Sequence, residues 1–212
     1  CICCVDAANR SGMVAAVKAR TSVSGNVMSL RDSHQGRVVA VHRASEHTFS
    51  KKTEDEIELV AGIGVRDDAH AGYTVQHRSR VKQNPHQPNL RQVHLIAIET
   101  LEELRLNGFV VEGGDLGENI TTEGIDLFAL TTGSLLMFEG AAEIEVTGLR
   151  NPCRQIEDFK TGLLAMVRKR EDDEVVRRVG VMGVVRRGGI VRANSRITGI
   201  FSPPGAGPLE VV

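Results

Sequence analysis

Tryptophan is absent from the 212-residue chain, tyrosine occurs once, and aromatic residues make up 3%. The absence of tryptophan weakens any case for anchoring at a membrane interface. Long apolar runs are missing as well; none approaches the roughly 20 residues needed to cross a bilayer. Neither sign of charge dominates, since Lys+Arg 26 against Asp+Glu 27 leaves a net charge of -1. That excludes the basic footprint of a dedicated nucleic-acid binder. Cysteine is scarce in the body of the chain: Cys1, Cys3 and Cys4 sit at the start and Cys153 stands alone. This is no disulfide framework, and the terminal trio lacks the second Cys/His pair of a zinc site. These absences together read as a soluble, cytoplasmic protein with neither a nucleic-acid nor a membrane partner. Also missing are the Gly-x-Ser-x-Gly elbow of serine hydrolases, the phosphate-binding P-loop and the dinucleotide fingerprint. The glycine-rich stretches Gly62–Gly72 and Gly113–Gly117 therefore carry no nucleotide assignment.

What is present is an ordinary globular composition, 41% hydrophobic and 25% charged. At about 150 residues per domain, one domain with appendages is expected. Residues 1–35 mix small, polar and basic residues without an apolar period and read as an irregular N-terminal extension, a targeting remnant or upstream translation, with Met28 as an alternative start. Residues 36–200 form the domain. Residues 201–212, with Ser202-Pro-Pro-Gly-Ala-Gly-Pro208, read as a Pro/Gly-rich tail.

Within the domain, β-branched and alternating runs predict strands at Arg37–His42, Ile57–Val60, Val93–Ile98, Ile120–Thr122, Ser134–Phe138 and Ala142–Thr147. In the last of these Glu143, Glu145 and Thr147 share one face and Ile144 and Val146 the other, as in an antiparallel strand with one wet side. Val175–Val185 and Ile190–Ile200 are expected to form a hairpin about Gly188-Gly189. Thr100-Leu-Glu-Glu103 reads as a capping box opening a helix that Gly108 ends. The spacing of Ile156, Phe159, Leu163, Leu164 and Val167 predicts one long helix with Lys169 and Arg170 in its last turn. His70–Leu90 is a long basic excursion. The fold class is mainly β, closed or partly open as a barrel, with two or three helices.

The segment Thr147-Gly-Leu-Arg-Asn-Pro-Cys153-Arg-Gln-Ile156 is the richest in chemistry. Asn151 is a good N-cap and Pro152 suits the first helical position, which puts Cys153 in the first turn. Free backbone N–H groups, the helix dipole, Arg150 and Arg154 would all favour an anion there. A thiolate attacks electrophilic sulfur, carries a persulfide or ligates a soft metal; the alternative is a buried cysteine serving as a small hydrophobe. Asp67, Asp68 and His70 read as a plain turn rather than a metal site, because adjacent residues point apart. Arg66, Arg78, Arg80, Arg91, Arg150 and Arg154 either converge on a polyanion or form a solvated basic face.

Four stretches in order carry a family resemblance: Gly62-Ile-Gly-Val-Arg-Asp-Asp-Ala-His-Ala-Gly72, Arg91-Gln-Val-His-Leu-Ile96, Gly114-Asp-Leu-Gly-Glu-Asn-Ile120, and Thr147-Gly through Asn151-Pro-Cys153. Over about residues 36 to 200 the chain resembles a MOSC domain, the module found free-standing in bacteria and at the C-terminus of molybdenum cofactor sulfurase. The resemblance implies a β-rich barrel-like fold with Cys153 as the functional cysteine. That residue would accept sulfur from a cysteine-desulfurase-type donor or ligate the molybdenum of a molybdenum-pterin cofactor. Arg66, His70, Arg91, Asn119, Arg150 and Asn151 would line the cofactor pocket, and Arg78 of the basic insert, which lies outside the common pattern, would join them. The 212 residues leave no room for the pyridoxal-phosphate domain of the full sulfurase, so a sulfur donor or an electron-transfer protein is expected as a separate partner. Three functions remain in view: a cofactor-binding or sulfur-carrier protein, a molybdenum-dependent reductase of N-hydroxylated compounds, and a cofactor-free interaction module in which Cys153 is structural. The oligomeric state is left open.

Overall fold

The computed structural model describes residues 36–212. The expectations placed on residues 1–35, Cys1, Cys3, Cys4 and Met28 among them, lie outside the described residues. The elements run β1 Gly36–Arg43, β2 Lys52–Glu54, β3 Glu56–Val60, β4 Gly64–Val65, α1 Arg78–Val81, β5 Val93–Ala97 and α2 Ile98–Leu106. They continue with β6 Ile120–Glu123, β7 Leu135–Phe138, β8 Glu143–Leu149, α3 Arg154–Phe159, α4 Leu163–Val167 and β9 Arg168–Glu171. The last four are β10 Glu174–Arg177, β11 Val181–Arg187, β12 Gly189–Arg192 and β13 Arg196–Phe201.

Alternation makes the wall. Along β8 the buried Ile144 and Val146 point inward, while the outward Glu145 binds Arg186 through two hydrogen bonds of 2.7 and 2.8 Å. Seven strands follow the order β13-β7-β8-β11-β5-β6-β1, and β1 returns to β13 through Gly36↔Ile197 and Arg37↔Arg196. The sheet is thus a closed barrel, which removes the unpaired edges that an open sheet exposes. Its pairings are antiparallel except β5 with β6, whose parallel register Leu95↔Ile120 requires the crossover that α2 supplies. The interior is aliphatic, with Val38, Leu95, Ile120, Leu136, Ile144 and Val181 fully buried; each such side chain stabilises by about 1.5–3 kcal/mol. A second cluster, including Ile96, Leu101, Leu116, Ile156 and Leu163, holds α2, α3 and α4 to the outside of the barrel. Every side chain of β5 is buried: Val93, Leu95 and Ala97 join the interior, Ile96 joins the helix-side cluster, and His94 lies on that outer side of the strand as well. The short β2 pairs antiparallel with the end of β1, and the sheet β12-β3-β4 and the hairpin β9–β10 complete the described strands.

The mainly β barrel is as expected, with three helices of five residues or more, but local pairing differs in four places. The long helix is two short ones, because Gly162 adopts φ +85° between α3 and α4; both still deliver Ile156, Leu163 and Val167 to one apolar cluster. Lys169 and Arg170 consequently belong to β9. The Thr100 capping box does not form: α2 begins straight from β5 at Ile98, Ala97 is its N-cap, and Thr100 is buried within the first turn. The expected hairpin about Gly188-Gly189 is absent. β11 pairs with β8 and β5, β12 with β3, and β13 with β7 and β1, so closing the barrel takes precedence over the local turn. Val175 joins a different hairpin, β9–β10, turned at Asp172 and Asp173, both at positive φ, the conformation a two-residue hairpin turn requires.

Candidate functional site

Loops leaving β1 and β8 meet the approaches to β5, β6 and β11, and between them lies a pocket of ≈ 170 Å³. Its floor is organised by Asp68. Oδ2 accepts hydrogen bonds from Lys51 Nζ at 2.7 Å, Asn119 Nδ2 at 3.1 Å and the Ala44 N–H at 3.4 Å. Oδ1 accepts from the His70 N–H at 2.9 Å and faces His70 Nδ1 at 3.3 Å. Burial opposes the Asp68 charge, but the His70 hydrogen bond and the charge and bond of Lys51 hold its carboxyl well below the usual carboxylate range. Burial likewise pushes the Lys51 ammonium down, partly offset by Asp68. Asn119 also donates to the His42 carbonyl and accepts from the His94 N–H, both at 3.2 Å, which ties the Asp68 loop to β1 and β5.

The walls carry cations and neutral imidazoles. Arg150 is buried, its Nη1 donates to the Leu116 carbonyl at 2.6 Å, and its guanidinium lies 5.9 Å from the Phe49 ring centroid. Burial, with Arg80 and Arg150, pushes the Arg91 guanidinium down to about 10. His70 lies between His47, edge-on at a ring-centroid distance of 5.1 Å, and His77, tilted at 4.6 Å. Burial first, then the charge of Arg91, pushes His77 down to about 2, so it is neutral. His94 donates from Nε2 to the Val179 carbonyl at 2.8 Å, and burial keeps it neutral too. Two buried nitrogens of the pocket residues, Arg91 Nε and His77 Nδ1, have no hydrogen-bond partner among the described residues. Unpaired buried polar atoms are uncommon and point to a missing partner.

Cys153 stands at the pocket, free and exposed, with Sγ 3.5 Å from Gln155 Oε1. The residue is the N-cap of α3, at φ -117° and ψ 171°, one position before the first turn. Asn151 is therefore not the N-cap and Pro152 not the first helical residue. The cause is that β8 runs on to Leu149, past Thr147, and Arg150 stays tethered by its N–H to the Gly180 carbonyl at 3.1 Å. Three residues are then needed to turn the chain into α3.

Of the residues singled out from sequence, His70, Arg91, Asn119, Arg150, Asn151 and Cys153 meet in this pocket. Arg66 does not: it lies exposed and forks onto Glu58, with Nη2 2.8 Å from Oε1. Arg78 opens α1, and its side chain lies outside what the structure describes. Arg154 points to solvent, 90% exposed, opposite Asp158. Asp67 and Asp68 do diverge, Asp67 turning outward to Arg43 at 3.4 Å. Among the described residues no group of three His, Cys, Asp or Glu side chains is placed to hold a metal ion. Sequence reasoning missed Lys51, Phe49, His94 and Gln155. His94 sat inside the Arg91–Ile96 stretch, whereas nothing in the composition separates Lys51 from its exposed neighbour Lys52.

Barrel and pocket define a class: a closed seven-stranded β-barrel with an exposed thiol, Cys153, beside a cation-lined cavity. The family model of the MOSC domain matches residues 82–198, more than half of the chain, and this protein belongs to the MOSC domain family, one linked to molybdenum-cofactor binding. The match spans Arg91, Asn119, Arg150 and Cys153, while Lys51, Asp68, His70 and His77 lie N-terminal to it. Among solved structures, the YuaD protein from Bacillus subtilis is 23% identical with a TM-score of 0.66, over 81% of this chain and 98% of that one. YiiM from Escherichia coli is 16% identical with a TM-score of 0.51, over 82% and 73%. YiiM from Geobacillus stearothermophilus is 14% identical with a TM-score of 0.53, over 82% and 79%. At such identities the likeness is one of fold. No curated protein matches the sequence. No helix among the described residues is long and apolar enough to cross a membrane.

Proposed function

We propose that this protein holds a molybdenum-pterin cofactor, with the metal at Cys153 and the anionic tail on Arg91 and Arg150. The observation that carries the reading is the pairing, in one small pocket, of an exposed thiol with the half-buried Arg91, whose buried Nε has no partner. A neutral, fully satisfied pocket would not call for an anion; this one does. One thiol without neighbouring metal ligands cannot retain a free ion. A metal at Cys153 must therefore arrive within a group that brings its own ligands, as a pterin dithiolene does. Bound there, that group supplies a thiolate-ligated molybdenum centre for oxygen-atom or sulfur transfer. The chain's own residues do the holding: Arg91 and Arg150 neutralise the tail, Asp68 fixes Lys51, His70 and Asn119, and Gln155 accepts from the free thiol.

A second reading, sulfur carriage, is favoured by the exposure of Cys153. There Cys153 would hold a persulfide delivered by a cysteine-desulfurase-type partner. In the reductase reading, a molybdenum-dependent reduction of N-hydroxylated compounds, a separate electron-transfer protein is the partner. Molybdenum and pterin content per mole, in wild type and Cys153→Ser from a host that makes the cofactor, tests the proposal. Near-stoichiometric molybdenum that disappears in the mutant is expected. Its absence from both would overturn metal ligation, and persulfide sulfur on wild type alone would then establish the carrier. An unreactive thiol with neither would leave a cofactor-free module. Because Cys153 is exposed, the substitution changes stability by less than about 0.5 kcal/mol.

A further inference from the structure

His70 is tied to the protein at one ring nitrogen and open at the other. Nδ1 lies 3.3 Å from Asp68 Oδ1, the same oxygen that accepts the His70 backbone N–H at 2.9 Å. Asp68 stays ionised, and an ionised carboxylate can only accept. The proton of the neutral imidazole is therefore on Nδ1, and Nε2 carries the lone pair. The ring lines the pocket with 21% of its side chain exposed, and Nε2 has no hydrogen-bond partner among the described residues.

The neighbouring imidazoles are placed differently. His94 is committed to the Val179 carbonyl, and His47 spends Nε2 on the Gln76 carbonyl at 2.9 Å. His77 lines the pocket with Nδ1 unpartnered, beside the charge of Arg91. Among the described residues, His70 is the one imidazole with a carboxylate within ion-pair distance, so its positive charge is the one the fold can balance.

An oxyanion drawn to Arg91 and Arg150 enters a cavity of only ≈ 170 Å³ that His70 shares. There its oxygens meet the Nε2 lone pair, acceptor against acceptor, unless a proton lies between them. In the empty pocket burial pushes His70 below its ordinary value, against the Asp68 hydrogen bond and with the charge of Lys51. Besides Lys51 and Asp68, His47 and His77 face the ring, and Arg91, Arg150 and Cys153 share the pocket. An anion at Nε2 supplies the second counter-charge that the imidazolium lacks.

We propose that His70 binds the anion of this pocket as an imidazolium, so that each oxyanion is loaded together with one proton. The proposal rests on the reading that the pocket takes a cofactor's anionic tail, and adds a regulation of that site: loading is favoured as the pH falls. The proton comes from solvent and adds to Nε2, and no other bond changes. Asp68 then accepts from Nδ1–H and the anion from Nε2–H.

Sulfate is the probe, because it stays a dianion near neutral pH and takes up no proton itself. Calorimetry at about pH 7.5, in buffers of different ionisation enthalpy, is expected to show uptake of about one proton per sulfate bound. Affinity in wild type should fall about tenfold per pH unit above neutrality. In His70→Gln, whose amide donates without taking up a proton, the uptake and the pH dependence both disappear. Cys153→Ser, which removes the thiol from the same pocket, keeps both. Long-range nitrogen NMR spectra of wild type need no variant: His70 should be protonated at Nδ1 alone without sulfate and at both nitrogens with it. Sulfate binding without proton uptake overturns the proposal, as does uptake that survives in His70→Gln or vanishes in Cys153→Ser. Failure of sulfate to bind wild type at any pH between about 6 and 8 overturns the anionic-tail reading beneath it; binding without uptake leaves that reading standing. Thermal melts check that both variants fold, and the wild-type spectra decide the matter if His70→Gln does not.

Discussion

Lys51 Nζ lies 2.7 Å from Asp68 Oδ2 with 3% of one side chain and 1% of the other exposed, so the floor of the pocket rests on a desolvated ion pair. The two residues are also joined to the rest of the site, Asp68 through Asn119 and His70, Lys51 through its position beside Arg150. Such pairs add little net stability over an apolar filling, but breaking one strands a buried charge. Asp68→Asn is therefore expected to lower unfolding stability by about 3–5 kcal/mol. Adding Lys51→Met should recover part of the loss in urea titrations, whereas equal stability of the single and double mutants would show that the pair is not coupled.

Acid should destabilise the fold well above the carboxylate range. His42 lies between Thr121 at 3.0 Å and Thr53 at 3.2 Å, and burial, with help from Lys51, pushes it down to about 4. The unfolded chain takes up that proton near pH 6.5 and the folded chain resists it, so the unfolded state binds more protons in between. The contribution is complete above pH 6.5 and is lost as the pH falls toward 4, by on the order of 3 kcal/mol. His77 works in the same direction, and Asp68, held low when folded, adds a further loss below about pH 4. Urea midpoints between pH 7.5 and 4.5 should fall steeply in wild type and less steeply in His42→Gln.

Gly180 is where backbone geometry reaches into the site. It has φ +87°, its carbonyl holds the Arg150 N–H, and an added Cβ would stand 2.1 Å from the Leu95 carbonyl oxygen and 2.9 Å from His94 Nε2. Only glycine fits such a position without strain. Gly180→Ala should cost about 3 kcal/mol or more and weaken anion binding with it. A melt unchanged by the substitution would contradict the close approach.

The unpaired cations imply a trade of stability for binding. Arg91 is pushed down by burial and by its neighbours Arg80 and Arg150, and its Nε has no partner. Arg91→Gln is therefore expected to raise the stability of the anion-free protein by about 0.5–1 kcal/mol while abolishing stabilisation by added phosphate. Melting curves with and without phosphate distinguish this from a structural arginine, whose loss would lower both.

Much of this protein follows from local pattern. Burial on one side only imposes period two on β8 wherever its partners lie, so Ile144 and Val146 could be assigned to the core before any pairing was known. Arg150 and Cys153 are close because they are close in sequence, and the four ordered stretches pointed to the family. Tertiary structure alone decided the rest. β11 chose β8 and β5 over the neighbouring run because closing a barrel satisfies two strand edges where a hairpin satisfies one. Arg66 and Arg91 are alike in sequence, yet one meets Glu58 in solvent and the other lines the pocket with its Nε buried and unpartnered. Lys51 and Lys52 are adjacent, but only Lys51 faces Asp68. Which charges lose their water, and which counter-charges they find, depends on segments brought together over long stretches of chain, and no periodicity in the sequence records it.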